Sequence, residues 1–387
     1  MNPCAAVGIS RQADSQRAGM EAATEALSSL GGQADGLILF ISDCYDPLAV
    51  LQGVRSITGS IPLIGSCATG IITPSGIHTD VVALMALRSD ALRVALAATE
   101  GGMDSPRLAG ERLAETLLQR LPVNETERPH AVVLVLENFA SPLTAEVIQG
   151  ATDVLGPLCP LIGGADGHHL RFINDQLVSN ELVAALLCSS RPIGIGVAHG
   201  WTPCERPLIV TRSVGNIIYE LDGQPAFEVY RQLWAQEAPG LSPEQFPAFA
   251  AAHPFGLPQA SGEYLIRDPY LVHPNGAIEC AAVVPEHSVA HIMSGEKEAL
   301  LAAAQAAAAR AMDGLAGHPP VAAVIFDCIS RLQYLREEAI TEIENIRDVI
   351  GRETPLIGMF SYGEIAPPPD SGLTVLHNKT VAICVLA

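Results

Sequence analysis

One tetrapeptide recurs along this sequence and sets the strongest constraint on its fold. Pro-Leu-Ile-Gly begins at Pro62, at Pro160 and at Pro355, and the second interval is about twice the first. Internal similarity at long, regular intervals is typical of a chain built from repeated structural units. The doubled interval predicts a degenerate fourth copy midway, and a Pro-Phe-Gly-Leu segment begins near that point, at Pro254.

Apolar segments of strand length flank each copy of the tetrapeptide. They are rich in β-branched and aliphatic residues, which is typical of strands covered on both faces. The predicted strands lie at 37–42, 131–136, 216–221 and 321–326 before the copies, and at 80–87, 182–188, 277–284 and 380–386 after them. Helical spacing of Ala, Leu and Ile predicts helices over 107–121, 296–315 and 337–350.

This pattern predicts a mixed α/β (α+β) fold with two similar domains. We expect four quasi-repeated units of strands and helices, at 1–90, 91–190, 191–286 and 287–387, paired into domains at 1–190 and 191–387. The third unit fits least well, because an extended segment, 207–214, stands where its first helix is expected. The Pro- and Gly-rich residues 239–262 are predicted to form a long loop or lid.

Composition excludes several classes of protein. Lys and Arg number 22 against 42 Asp and Glu, so the net charge is −20, which repels nucleic-acid phosphates and anionic lipid. No apolar run approaches the ~18 residues of a membrane span, and no signal peptide precedes the first predicted strand. The nine cysteines form no Cys-x-x-Cys pair, and several lie in apolar runs. The sequence therefore predicts a cytoplasmic protein with reduced thiols.

Four motifs follow one another in the C-terminal half. They are YELDGQPA at 219–226, DCISR at 327–331, SYGEI at 361–365 and HNKT at 377–380. In this order and spacing they resemble the C-terminal domain of the FIST family. The Gly-rich segments 62–70 and 160–172 resemble parts of the FIST N-terminal domain, so the resemblance spans nearly the whole chain.

The resemblance implies a sensory input protein. Members of this family are associated with histidine kinases or cyclic-di-GMP enzymes and are proposed to bind small ligands such as amino acids, and one branch binds haem and senses nitric oxide. Because the sequence ends at Ala387 with no kinase or cyclase attached, we expect its output to act in trans on such a partner.

The motifs supply groups for a zwitterionic ligand. Both DCISR and SYGEI follow apolar strands, and ligands of open α/β sheets bind at the carboxyl ends of strands. Arg331 offers a planar fork suited to a carboxylate, and Glu364 offers an acceptor for an ammonium group. Alternatively, Arg331 and Glu364 pair with each other or with Glu337 and Glu338 and only brace the fold. The full set of predicted ligand-binding residues is Asp327, Cys328, Arg331, Ser361, Tyr362, Glu364, His377 and Asn378.

An enzymatic alternative rests on Cys328. A reactive thiolate needs a base or a cation nearby, which Arg331 or His377 could supply, but no local signature of a cysteine hydrolase surrounds this residue. The prediction is therefore a binding protein and not an enzyme.

Histidine supports a haem alternative but no other metal site. The sequence contains no HExxH zinc motif, and the Gly-rich segments lack the Lys of a phosphate-binding loop, so they predict tight turns. A single His can ligate haem iron. No cofactor is predicted, and if haem is bound the candidate ligands are His168, His169, His199 and His377.

Overall fold

The computed structural model describes residues 4–99, 105–121, 129–138, 142–179, 181–369 and 372–387. Within these residues the strands form four sheets, and the prediction of a mixed α and β fold is confirmed. In this described part no helix is long and apolar enough to cross a membrane.

The first two repeat units have the same order of elements. The first consists of β1 (Ala5–Ser10), α1 (Ser15–Ser29), β2 (Gly36–Ser42), α2 (Pro47–Thr58), β3 (Leu63–Ala68), a hairpin of β4 (Ile71–Thr73) and β5 (Gly76–His78), and β6 (Val82–Leu87). The second consists of β7 (Leu92–Ala98), α3 (Pro106–Arg120), β8 (His130–Asn138), α4 (Pro142–Leu155), β9 (Leu161–Asp166), a hairpin of β10 (Leu170–Ile173) and β11 (Gln176–Ser179), and β12 (Val183–Ser189).

The third unit begins with β13 (Ile193–Ala198) and is then interrupted by an inserted domain. This insertion forms an antiparallel sheet around its own hydrophobic core. Its elements are β14 (Thr202–Pro203), β15 (Leu208–Val214), β16 (Ile217–Leu221), β17 (Gln224–Pro225), α5 (Ala226–Leu233), α6 (Phe246–Ala250), β18 (Phe255–Pro258), β19 (Tyr264–Arg267), β20 (Pro269–Val272), β21 (Ile278–Cys280) and β22 (Val289–Ser294).

After the insertion the third unit resumes the shared order. It continues with α7 (Lys297–Asp313), β23 (Ala322–Cys328), α8 (Ile329–Leu335), a 3₁₀ turn (Arg336–Glu338), α9 (Ala339–Ile350), β24 (Leu356–Ser361), a hairpin of β25 (Glu364–Ala366) and β26 (Val375–His377), and β27 (Val381–Leu386).

The prediction of four units is therefore wrong in number: the described residues contain three, and the third carries an insertion. The expected fourth copy at Pro254 precedes β18, which pairs antiparallel with β19 and β22, whereas β3, β9 and β24 each pair parallel with a neighbour. Residues 199–296 separate β13 from α7, whereas only residues 11–14 separate β1 from α1. The inserted segment accounts for the doubled interval. The predicted loop over 239–262 also contains α6 and β18.

The repeated tetrapeptide has one physical role in all three units. Its proline precedes a buried strand, and its glycine lies against the carbonyl oxygen of the adjacent parallel strand. A Cβ at Gly65 would lie 2.3 Å from the Leu39 oxygen, and one at Gly163 would lie 1.8 Å from the Val135 oxygen. Because no side chain fits at such distances, only glycine lets the two strands pair.

Each unit gives its hairpin to another unit's sheet. The hairpin β4–β5 pairs with β24 of the third unit, β10–β11 pairs with β3 of the first, and β25–β26 pairs with β9 of the second. The exchange is cyclic, and it crosses the expected boundary between residues 190 and 191. The two predicted domains are thus joined by shared sheets.

The three sheets meet at a common core and carry their helices outside. Phe40, Leu136 and Phe326 occupy equivalent strand positions, are fully buried and belong to one apolar cluster. The rings of Phe40 and Phe326 meet edge to face at 6.4 Å. Separate clusters join each sheet to its own helices. Burial of this kind supplies most of the folding free energy.

Candidate functional site

The DCISR and SYGEI motifs lie side by side, as their positions after strands predict. β23 and β24 run parallel, and Cys328 pairs with Ser361 at their carboxyl ends. Glu364 begins the hairpin immediately beyond. Asp327, Ser361 and Glu364 are all fully buried. The motifs therefore converge, but on the protein interior.

Arg331 is also fully buried, and its guanidinium is occupied by the protein itself. Nε donates to Glu342 Oε1 at 3.1 Å, Nη1 donates to the His199 carbonyl at 2.6 Å, and Nη2 donates to the Leu300 carbonyl at 2.9 Å. A second, short contact joins Nη2 to the same Glu342 oxygen. The fork thus has a protein carboxylate where a ligand carboxylate was predicted, and that partner is Glu342 rather than Glu337 or Glu338.

Asp327 completes a buried triad with Arg331 and Glu342. Its Oδ1 lies 3.4 Å from Arg331 Nε, and its carboxyl lies within hydrogen-bonding range of Glu342. Burial, followed by the charge of Glu342, raises the pKa of Asp327 well above its usual range. With Asp327 protonated the triad is neutral, which removes the cost of a buried net charge.

Glu364 and Cys328 form a second buried group, next to Thr380 at the start of β27. Glu364 accepts hydrogen bonds from Ser361 Oγ at 2.8 Å and from Thr380 N and Oγ1 at 3.2 and 2.8 Å. Burial raises the pKa of Glu364 to about 7. Burial and the neighbouring Glu364 raise the pKa of the Cys328 thiol, whose Sγ lies 3.0 Å from Ser330 Oγ. A protonated, enclosed thiol is a poor nucleophile.

The remaining predicted residues lie around the exchanged hairpin. Tyr362 is half-buried, and its backbone N–H donates to the Ala165 carbonyl at 2.7 Å. Asn378 is buried, and its Oδ1 has no partner in the part of the chain that the structure describes. His377 is buried, with Nε2 3.1 Å from the Ala366 carbonyl.

Next to this buried group, a groove of about 510 Å³ runs along the outside of the third unit. Its floor is apolar and includes Ile193, Ile195 and Val197 of β13. One wall is the triple-proline loop, residues 367–369, which follows β25. The walls thus come from an edge strand and from a stiff loop that cannot continue a helix or a strand.

The groove leads to a small chamber of about 20 Å³. The chamber shares Val197, Glu263, Pro368 and Pro369 with the groove, so these residues lie at the constriction between them. Its inner lining includes His199, His377 and Thr380, together with Tyr264 and Leu265 of the inserted domain. Thr380 connects the chamber to buried Glu364.

An ion pair spans the constriction. Arg310 on α7 donates from Nη2 to Glu263 Oε1 at 3.2 Å and from Nη1 to the Val197 carbonyl at 2.7 Å. The two charged side chains are 39% and 40% exposed. A cation and an anion are therefore both accessible to a ligand at this one point.

A surface groove of about 560 Å³ lies elsewhere, between the end of β7 and the β10–β11 hairpin. It is somewhat larger, but its charged residues Arg120 and Asp175 are exposed to solvent. It also lies away from the C-terminal motifs. The groove beside β13 is therefore the better candidate.

The four histidines named for haem occupy three different environments. His168 Nε2 lies 2.7 Å from Asp43 Oδ1 on the surface, and His169 is exposed. His199 and His377 both line the small chamber, which is far below the size of a macrocycle. Holding iron through Nε2 of His377 would require loss of its bond to Ala366.

Sequence reasoning missed Arg310, Glu263 and Lys379. Lys379 is buried, with Nζ 3.1 Å from Asp268 and 2.9 Å from the Ala251 carbonyl, and it fastens the inserted domain to β27. Arg310 could have been noticed in the sequence, because it is a lone cation in the Ala-rich stretch of α7. Glu263 is distant in sequence from every motif, so no signal could have joined it to Arg310.

Comparison with known proteins agrees with this description. The FIST N domain family matches residues 35–224, and the FIST C domain family matches residues 226–367. An uncharacterised protein of Mycobacterium tuberculosis is 25% identical over 405 residues, covering 98% of both chains. An uncharacterised protein of Mycobacterium bovis is 26% identical over 400 residues, covering 98% of this chain and 97% of the relative. The two matched regions meet inside the inserted domain, and the chain belongs to the FIST family of sensory, signal-transduction domains.

Proposed function

We propose that this protein is a small-molecule-binding sensory module whose ligand is a small zwitterion, such as an amino acid. The ligand lies in the groove beside β13, with its carboxylate on Arg310 and its ammonium group on Glu263. The observation that carries the proposal is the half-exposed Arg310–Glu263 pair at the constriction between groove and chamber.

The energetics of this pair favour exchange with a ligand. An exposed ion pair contributes only about 0–1 kcal/mol to stability, because water screens it and both side chains lose freedom. The carboxylate of a zwitterion takes the place of Glu263 beside Arg310, and its ammonium group takes the place of Arg310 beside Glu263. The ligand also buries its own apolar atoms against Ile193 and Ile195. Arg310 keeps its bond to Val197, which holds the fork in place.

In this proposal Arg331 and Glu364 support the site without contacting the ligand. Arg331 holds the His199 carbonyl at the chamber edge, and Glu364 holds Thr380 from behind. The thiol of Cys328 packs between them and has no catalytic role.

The output is proposed to act in trans on a histidine kinase or a cyclic-di-GMP enzyme. Such a partner's activity, measured with this protein present, should change when ligand is added. No response to ligand at saturating concentration would contradict signalling through that partner.

Isothermal titration with a panel of amino acids tests the ligand site. We expect saturable binding to the wild type, and a loss of at least about tenfold in affinity for Arg310→Gln and for Glu263→Gln, since each removes one charge contact worth about 1.4 kcal/mol or more. Arg231→Gln is the matched control, because Arg231 forms an exposed ion pair with Glu228 away from the groove. Unchanged affinity in both groove variants, or no binding by any member of the panel, would refute the proposal.

A further inference from the structure

Apart from Glu263, which it shares with the groove, the chamber is lined by neutral groups. Burial, followed by the charge of Arg331, lowers the pKa of His199 to about 4, and burial lowers the pKa of His377 to about 3. Both imidazoles are therefore uncharged near neutral pH. The other neutral lining groups are the polar side chains of Gln259, Tyr264 and Thr380 and apolar side chains such as Leu265.

Each imidazole is fixed in one tautomer by its protein partner. His199 Nδ1 accepts a hydrogen bond from the Trp201 backbone N–H at 2.9 Å, so its proton resides on Nε2. His377 Nε2 donates to the Ala366 carbonyl, so its Nδ1 is an acceptor. The chamber thus contains one imidazole donor and one imidazole acceptor.

The donor on His199 is poorly satisfied. Nε2 is buried, and the acceptor near it is the Tyr264 backbone carbonyl, at a geometry outside the usual hydrogen-bond range. A buried donor without a partner costs about 1–3 kcal/mol. A ligand that supplies an acceptor at this point recovers that free energy.

We propose that this chamber receives a neutral group with a hydrogen-bond acceptor beside a donor, and that the ligand is an amino acid with a side-chain carboxamide. The carboxamide oxygen accepts from His199 Nε2, and its NH₂ donates to His377 Nδ1. This inference rests on the proposed function, because the zwitterionic head remains on Arg310 and Glu263.

The size of the chamber links binding to a movement of the inserted domain. A volume of about 20 Å³ suffices for little more than one water, so a carboxamide requires the chamber to widen. Glu263 and Tyr264 lie at the start of β19, and the Glu263–Arg310 bond holds this hairpin against α7. The head of the ligand breaks that bond, which frees the hairpin to move as the side chain enters.

A carboxylate is a poor substitute for the carboxamide in this chamber. No cation is among the residues that line the chamber, Glu263 in that lining carries like charge, and the buried Glu364 behind Thr380 adds more as it ionises. An uncompensated charge in such a place is costly. The chamber therefore distinguishes two side chains of nearly equal shape.

Isothermal titration of the wild-type protein with glutamine, asparagine, glutamate and methionine tests the inference without any variant. We expect glutamine or asparagine to bind at least about tenfold more tightly than glutamate and methionine, which corresponds to about 1.4 kcal/mol. Equal affinity across the four would overturn the carboxamide assignment while leaving the zwitterion site intact. No binding by any of them would overturn both.

His199→Asn provides the matched variant. Asn can keep an acceptor for the Trp201 N–H but lacks the donor at the Nε2 position. We expect its preference for glutamine over methionine to fall by about tenfold, with methionine affinity unchanged. An unaltered preference would contradict the assigned role of His199, and circular dichroism checks that the variant is folded.

Discussion

Glu364→Gln should make folding stability less dependent on pH. Burial raises the pKa of Glu364 from 4.5 to about 7, so the folded protein favours the protonated form. Its contribution is therefore fully present below pH ~4.5 and is lost as the pH rises through about 7. Since one pKa unit corresponds to about 1.4 kcal/mol, the loss is about 3 kcal/mol. Glutamine cannot titrate, so the variant escapes this loss.

The substitution preserves the local hydrogen bonds. The amide oxygen can accept from Thr380 N–H, and the amide nitrogen can donate to Ser361 Oγ, which accepts as readily as it donates. Urea denaturation of the two proteins between pH 4.5 and 8, followed by circular dichroism, gives the free energy of unfolding at each pH. Buried acids that do not interact with Glu364 titrate alike in both proteins and cancel in the difference. Exposed Glu353→Gln is the control and should follow the wild type.

The expected difference between the two curves grows by about 3 kcal/mol from pH 4.5 to pH 8. Parallel curves would show that Glu364 does not change its protonation on folding. The account of a buried, desolvated carboxyl behind Thr380 would then be wrong.

Three further predictions follow from the same contacts. Arg331→Ala leaves two buried carboxyls without their cation and should lower the free energy of unfolding by about 3–5 kcal/mol in urea denaturation. Arg352→Ala, which removes an exposed ion pair, should leave the free energy of unfolding nearly unchanged; similar losses in the two variants would refute the triad. Exposed Cys44 should react with iodoacetamide well before buried Cys328, as read by mass spectrometry, and the reverse order would reopen the enzymatic alternative. A fragment of residues 1–190 lacks β24, the partner of the β4–β5 hairpin, and lacks the β25–β26 hairpin that pairs with β9. It should give a dispersed, folded NMR spectrum only with the remaining chain present; a folded spectrum of the fragment alone would contradict the exchange.

Much of the fold could be predicted from local patterns. The strand predicted at 321–326 and the helix predicted at 296–315 lie within a few residues of β23 and α7. Both predictions succeed because each segment has the spacing of apolar residues that is typical of a strand or of a helix. The number of units could not be predicted from spacing. A doubled interval is equally compatible with a missing copy and with an inserted domain, and only the pairing of β18 distinguishes them.

The candidate site shows a similar limit. Sequence order correctly brought Asp327 and Ser361 to one sheet edge, since parallel strands end together. Whether that edge is open depends on what covers it. Glu342 and Lys379 cover this edge of the sheet. Both are charged residues, and no local sequence pattern predicts that they are buried. Ile340 is the opposite case, because it is an apolar residue of the helix predicted over 337–350 but is 53% exposed.

The triple-proline loop belongs to two parts of the molecule at once. It forms a wall of the groove, yet it joins β25 to β26, whose hydrogen bonds lie in the sheet of the second unit. Prolines transmit displacement because they bend little. We therefore expect a widening of the groove to displace β25 in a sheet whose remaining strands come from the N-terminal half, so that ligand binding beside β13 is transmitted to the second unit.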